Sequence, residues 1–457
     1  MIKTISPVDG STYVERETAT SSHISDVLER AARAQQAWKH TTLVERKRLC
    51  SLAVDAFVAD QDRICTELTW QMGRPIRYGM GEVNGFVERA THMISIADQA
   101  LEQVAVDQKE GFTRYIKREP LGVVFVVAPW NYPYLTSVNS IIPALLAGNS
   151  VVLKHSAQTP LCAERLADAF QQAGLPEGVF QYLHLSHDDT RNMIQSGNVN
   201  HVAFTGSVPG GAQIEQYAAG QFLGVGLELG GKDPAYIRAD ADIANAIETV
   251  TDGAFFNSGQ SCCGIERIYV QRAVYDDVVH GVVELVNKYV LGRPDDEETT
   301  LGPVVKVSAA TFITDQAEEA VKAGARQLID AAGFGNADNG VYQAPRVLVN
   351  VDHSMRVMTE ETFGPVVGIM PVDSDEQAIE LMNHSDFGLT ASVFTRDQDA
   401  AIRIGDRVDT GTWFMNRCDY LDPALAWTGV KHSGRGCTLS KIGFEHLTRP
   451  KSFHLKA

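Results

Sequence analysis

The sequence holds no Cys-x-x-Cys pair, although seven cysteines are spread along its 457 residues. Zinc sites and disulfide frameworks use closely spaced thiols, so neither is indicated and no metal is expected. Long apolar runs are also missing. The longest, Leu121 to Trp130, is about half of the ~20 residues a membrane helix needs, which argues against a membrane partner. The start, Met1 to Gly10, has no apolar stretch of the signal-peptide kind, and a cytoplasmic location is expected. Positive charge is scarce: 40 Lys and Arg face 57 Asp and Glu, for a net charge of −17. Nucleic acid is therefore excluded as the main partner, because neutralising phosphates needs a basic face. Repeats, low-complexity tracts and flexible linkers are absent, so domains must be cut by pattern. No Gly-x-Gly-x-x-Gly follows an apolar strand run. Gly224, Gly226, Gly230 and Gly231 are wrongly spaced for it, and that motif alone indicates no nucleotide site.

What is present is an ordinary globular composition, 44% apolar and 21% charged. At ~150 residues per domain the length suggests about three units. Residues 24–72 and 80–105 read as helical, with Ile24, Val27, Leu28, Ala31 and Ala32 at helical spacing and Gly73-Arg-Pro as punctuation. From 121 the texture changes. Strands are predicted at Val123–Ala128, Ser150–Lys154, Gln181–Leu185, His201–Phe204 and Gly224–Leu229. Helices alternate with them, from about 137 to 147, then at Thr159–Gly174, Thr190–Ser196 and Ser207–Ala219. This βαβ succession implies a doubly wound parallel sheet with ligands at the carboxyl ends of its strands. A second α/β series runs from 232 to about 431. It includes Ile265–Gln271, Tyr275–Leu291, Ala310–Ala323, Val366–Val372 and Leu389–Phe394.

Several residues stand out chemically. Phe204-Thr-Gly-Ser207 closes a strand and opens a helix, whose free N–H groups can hold a phosphate. Lys154 ends another strand at the crevice. Either feature alone is usually a turn glycine or a solvated lysine. Cys262, in Gly259-Gln-Ser-Cys-Cys263, is read as lying just beyond a strand–helix junction, where a lowered pKa makes a thiolate nucleophile. A lone cysteine is more often an inert small hydrophobe, and Cys50, Cys65, Cys162 and Cys437 take that reading. Cys262 is lifted by Glu228, an acid in an apolar strand end followed by Gly230-Gly-Lys232. It is either a paired structural carboxylate or a general base of raised pKa.

Taken in order, Pro129-Trp-Asn-Tyr-Pro133, Lys154, Phe204-Thr-Gly-Ser207, Glu228-Leu-Gly-Gly-Lys232, Gly259-Gln-Ser-Cys262, Glu361-Thr-Phe-Gly-Pro365 and Asn416 resemble the signature of the aldehyde dehydrogenase superfamily over nearly the whole chain. The resemblance implies an NAD(P)-binding α/β domain (1–105 and 122–230), a catalytic α/β domain (231–431) and a small β ribbon for oligomerisation (106–121 and 444–457). The ribbon would use the Phe112–Lys117 stretch and the C-terminal strand near Ser452–Leu455, and a homodimer or homotetramer is implied. By matching positions, Cys262 attacks the aldehyde, and Asn131 with the backbone N–H of Cys262 stabilises the oxyanion. Hydride passes to the nicotinamide, and Glu228 activates the water that releases the carboxylic acid. Lys154 and Glu361 would bind ribose hydroxyls, Phe363 would pack near the nicotinamide ribose and Trp130 beside the cofactor. Gly206 and Ser207 would face the pyrophosphate.

The chain departs from the family in two places. Ala426-Trp-Thr-Gly-Val-Lys431 replaces a usual Pro-Phe-Gly-Gly segment at the substrate mouth. Ala157 stands where NAD-preferring relatives often carry Glu, so NADP should be accepted beside NAD. The implied tunnel comprises Tyr132, Leu135, Asn139, Ser261, Cys263, Arg417, Cys418, Leu421 and Trp427. Its mostly apolar or small lining suits an aliphatic aldehyde, up to medium or long chain, or an aromatic one. Arg417 is the cation that can clamp a terminal carboxylate such as that of succinate semialdehyde. Pairing with nearby Asp419 or Asp422 is the preferred reading of it. A CoA-acylating relative is disfavoured by Glu228, and a hydrolase leaves Lys154 and Glu361 without a role. A non-catalytic structural homologue is disfavoured by Cys262, Glu228, Asn131 and Lys154 occurring together.

Overall fold

The computed structural model describes residues 1–335 and 340–456. Residues 336–339, within the second expected domain, and 457, at the end of the expected ribbon, lie outside the described residues. The architecture is α/β, with two mainly parallel sheets and a separate antiparallel ribbon.

The first sheet has six strands in the order Gly434–Arg435, Gly224–Glu228, His201–Thr205, Val123–Val127, Ser150–Lys154 and Phe180–Tyr182. All neighbours run parallel except the two-residue strand Gly434–Arg435, which returns antiparallel against Leu227 and Glu228. Val123 to Val127 are buried on both faces, as a central parallel strand covered by helices requires. The second sheet has seven strands: Arg326–Gln327, Arg346–Val349, Val366–Val372, Ile265–Gln271, Asp233–Ile237, Thr390–Phe394 and Thr412–Met415. Only Arg326–Gln327 pairs antiparallel. The ribbon pairs Phe112–Pro120 with Thr448–Lys456 antiparallel, in a register that sets Ile116 against Ser452 and Thr113 against Leu455.

The helical block before residue 105 is four helices, Ser21–Trp38, Leu43–Ala59, Gln61–Met72 and Gly79–Ala100. In the first, Ile24, Val27, Leu28, Ala31, Gln35 and Trp38 form the buried stripe, and Thr20 caps it by accepting from the His23 N–H. Gly73, at φ 84°, ends the third in the left-handed conformation.

Two differences from the sequence reading bear on the site. The helix after Val127 begins at Pro133, not near 137. Its first free amides are satisfied from far away in sequence: Glu82 Oε1 accepts from Tyr134 N and Leu135 N at 2.9 Å each. Strand Asp233–Ile237, central to the second sheet, was not anticipated, because Pro234 at its second position interrupts the strand pattern.

Candidate active site

Cys262 lies on a turn between helix Ile243–Phe255 and strand Ile265–Gln271. The junction is therefore helix-to-strand, the reverse of the expected order, and this helix offers no N-terminal dipole to the thiol. The turn is strained. Asn257, Ser258 and Gly259 follow one another at φ 53°, 57° and 70°, a left-handed run that costs about 1–2 kcal/mol for each non-glycine residue. Tertiary bonds hold it: Ser258 Oγ donates to Gly302 O at 2.7 Å, and Gln260 Oε1 accepts from Val305 N at 2.8 Å. The turn is also wedged between backbones. A Cβ at Gly259 would stand 2.1 Å from Gly364 O, and one at Gly231 2.5 Å from the carbonyl oxygen of Cys262. These contacts bring the Glu228-Leu-Gly-Gly and Glu361-Thr-Phe-Gly-Pro segments onto the cysteine turn.

Asn131, buried at the end of the strand Val123–Val127, donates through Nδ2 to Gln260 O at 3.2 Å. Asn257 Nδ2 reaches the same carbonyl at 3.2 Å. Beneath both lies an ion pair that sequence spacing does not reveal. Arg74 is buried, pairs with Glu82, and donates from Nη2 to Asn131 O at 2.7 Å and from Nε to Asn257 Oδ1 at 3.4 Å. Its guanidinium lies over the Tyr132 ring, 4.6 Å from the centroid. One guanidinium thus ties the Asn131 loop to the cysteine turn.

Glu228 is half-buried at its strand end and lines a cavity together with Cys262. Burial raises its carboxyl above the ordinary 4.5, and two hydroxyls oppose the shift. Thr205 Oγ1 donates to Oε2 at 2.9 Å and Thr438 Oγ1 to Oε1 at 2.5 Å. Thr438 follows the segment that departs from the family pattern and is bridged to Trp427 of that segment through backbone bonds of 2.9 Å in both directions. The neighbouring Cys263 is buried, and its thiol donates to Asp419 Oδ1 at 2.9 Å. The hydrogen bond with Cys262 and its own burial raise the Cys263 pKa, which keeps that sulfur a thiol.

Among the cofactor candidates, Trp130, Lys154, Gly206 and Ser207 stand at or just past the carboxyl ends of first-sheet strands, and Glu361 and Phe363 lie on the loop before strand Val366–Val372. Lys154 is half-buried without an ion pair among the described residues, and desolvation lowers its pKa. Ser207 is the N-cap of helix Val208–Ala218, its Oγ accepting from Gly210 N at 3.3 Å, and Gly206 N donates to Glu228 O at 3.0 Å. Glu361 accepts from Gly231 N at 3.0 Å, and burial pushes its carboxyl up to about 8. A Cβ at Gly230 would stand 2.2 Å from Glu361 Oε1, so only glycine admits that carboxyl. Trp130 and Phe363 meet edge to face with centroids 5.8 Å apart. Phe363 N and Thr362 N donate to the buried Glu266, which also pairs with Lys232, so a second hidden ion pair fixes this loop. Ala157 is exposed, and its carbonyl accepts from Thr4 Oγ1 at 2.8 Å. His155 is buried against Pro133 O, and desolvation lowers its pKa to about 3, so it brings no charge to this cleft. An unpaired ammonium, a capped helix N-terminus and an aromatic pair are groups of the kind that hold a dinucleotide.

The cavity of about 610 Å³ that holds Cys262 and Glu228 is lined by Tyr132, Leu135, Asn139, Ser261, Cys263, Leu421 and Trp427 among others. Arg417 and Cys418 do not line it. Arg417 is exposed and makes no ion pair with Asp419 or Asp422; its guanidinium sits on the Tyr420 ring, 3.7 Å from the centroid. Cys418 turns away to Thr249 O at 3.4 Å. Their places on the cavity wall are taken by Asp419, which adopts the left-handed conformation at φ 46°, and Tyr420. The cation in the cavity is Arg89, on helix Gly79–Ala100, which the sequence reading missed.

Two parallel α/β sheets meeting at a cavity shared by a thiol and a carboxylate place the chain among α/β enzymes. A model of the aldehyde dehydrogenase family matches residues 1–453. The chain belongs to that family, an oxidoreductase acting on the aldehyde group. Succinate-semialdehyde dehydrogenase (NADP(+)) 1 of Mycobacterium tuberculosis is 31% identical over 456 residues, covering 99% of each chain. An aldehyde dehydrogenase of Paenarthrobacter nicotinovorans is 33% identical and covers 99% of each. Among solved structures, succinic semialdehyde dehydrogenase from Streptococcus pyogenes, in complex with NADP+, superposes with a TM-score of 0.95 at 29% identity over 100% of both chains.

Proposed function

We propose that this chain oxidises an aldehyde to the free carboxylic acid with NADP or NAD, through a thiohemiacetal and then a thioester on Cys262. The observation that carries the reading is that Cys262 and Glu228 face one cavity, with Asn131 held beside the cysteine turn. When bound, the nicotinamide accepts the hydride. The chain's own groups do the rest. Asn131 Nδ2 leaves Gln260 O to share the developing oxyanion with the Cys262 N–H. Glu228, made more basic by burial, takes a proton from water as that water attacks the thioester. The thiol of Cys263, engaged by Asp419, stands aside. Lys154 and Glu361 hold ribose hydroxyls, while Ser207 and Gly206 present the helix N-terminus to the pyrophosphate. Exposed Ala157 leaves room for a 2′-phosphate, so NADP is accepted.

The carbon chain of the substrate lies against Leu135, Leu229, Leu421 and Trp427. In the ribbon, Thr448–Lys456 is mostly exposed and Phe112–Pro120 mostly half-buried, and this ribbon joins a second copy in a homodimer or homotetramer. Seven free cysteines suit the cytosol. No helix among the described residues is long and apolar enough to cross a membrane. The test is the near-ultraviolet absorbance of reduced cofactor with an aldehyde and each dinucleotide, with and without CoA. Turnover without CoA is expected. Turnover only with CoA would replace this reading with acyl transfer.

A further inference from the structure

Arg89 is 8% exposed, yet no carboxylate among the described residues stands within ion-pair distance of it. Its Nη1 touches the carbonyl of Leu135 and lies 3.5 Å from Asn139 Oδ1. The opposite charge it feels most is Glu82, but that carboxylate is committed to Arg74 and to the Tyr134 and Leu135 amides. Asn139 turns its oxygen to the guanidinium, which leaves Nδ2 buried without a partner. Both side chains line the cavity of Cys262. The other charged groups on that wall are otherwise engaged or exposed. Glu88 and Asp252 are exposed, Asp419 accepts from Cys263 and Ser261, and Glu228 accepts from its two threonines. A buried cation without an ion-pair partner, next to an amide with free donors, is destabilising by itself and satisfied by an anion.

We propose, resting on the aldehyde chemistry above, that Arg89 and Asn139 form the subsite for a second, anionic end of the substrate. The enzyme then takes ω-carboxylated aldehydes, the half-aldehydes of dicarboxylic acids. The apolar walls carry the methylene chain and the guanidinium and amide take the carboxylate. This moves the clamp from Arg417, which is outside the cavity, to a helix on its other side.

The test measures kcat/KM for succinate semialdehyde, its methyl ester and butanal. In the unaltered enzyme the free acid should exceed both uncharged aldehydes by about 100-fold, the effect of a buried charge pair. In Arg89→Met the ratio of acid to butanal should fall by about the same factor. Arg89→Lys, which keeps the charge but loses the fork, should fall between. If the unaltered enzyme uses the methyl ester as well as the acid, the proposal is wrong, whatever becomes of the variants' folding. If Arg89→Met depresses both substrates equally, Arg89 serves the Cys262 sulfur and the proposal is again overturned. Oxidation of butanal without preference for the acid sinks the subsite alone. Failure to oxidise any of the three with either dinucleotide sinks the aldehyde reading beneath it.

Discussion

Replacing Thr438 by Val should make Glu228 a base that switches on later as pH rises. The side chains are nearly equal in volume, and the Trp427–Thr438 bridge is made by backbone atoms, so the segment stays in place. What is lost is the 2.5 Å hydrogen bond to Oε1. A hydrogen bond to a charged group contributes a net ~1.5–3 kcal/mol. Glu228 is half-buried and keeps Thr205, so the low end applies: about 1.5 kcal/mol, or about one pKa unit. The sign follows from which form is stabilised. The hydroxyl donates to the carboxylate and favours it, so removing the donor raises a pKa that burial has already raised. The carboxylate is the active base. The acid limb of the kcat profile should therefore move up by about one unit, with the plateau above it preserved. Thr205→Val should act the same way, and the double variant should shift by about two units if the bonds are independent. The assay is steady-state kcat against pH under conditions where thioester hydrolysis limits turnover, shown by the absence of an isotope effect from deuterated aldehyde. A kcat lowered equally at every pH, with the acid limb unmoved, would refute the assignment of that limb to Glu228.

Glu228→Gln should slow acid release more than hydride transfer, so a pre-steady-state burst of reduced cofactor appears; loss of the first turnover would instead assign Glu228 to activating Cys262. Ala157→Glu should lower the NADP-to-NAD ratio of kcat/KM by about tenfold, since a carboxylate there repels a 2′-phosphate; an unchanged ratio would place the ribose elsewhere. Glu82→Gln breaks the buried pair with Arg74 and should cost about 3–5 kcal/mol of stability, read by denaturant unfolding. In the folded fraction kcat should drop while cofactor Kd holds; loss of stability alone would make the pair purely structural.

The strands of the first sheet were legible because they are short apolar runs between helices, and all of Ser150–Lys154 and Ile265–Gln271 came out as expected. Cys262, Glu228, Asn131 and the Glu361 loop were legible because each lies in a short motif at an element end. What supports them was not. Thr438 reaches Glu228 across 210 residues, and Arg74 reaches Asn257 across 183. A lone threonine or arginine carries no spacing signal for such partners. Arg417 shows the opposite failure: it stands two residues before the cavity residues Asp419 to Leu421 in sequence, but its guanidinium sits on the Tyr420 ring. Arg89 was hidden within a helix whose polar and apolar faces look ordinary, and its lack of a counter-ion is visible only in three dimensions.

The central claim is that one sulfur, that of Cys262, carries the acyl group. Glu228→Gln enzyme mixed with a saturating aldehyde and oxidised cofactor, quenched in acid within one turnover and digested, gives peptides for mass spectrometry. The peptide holding Cys262 and Cys263 should gain the mass of one acyl group, and fragmentation should place it on Cys262. The same treatment of Cys262→Ser should leave the peptide unmodified while the protein still binds the cofactor. An acyl group on Cys263, or first-turnover reduction of the cofactor with no acylated peptide, would contradict the account.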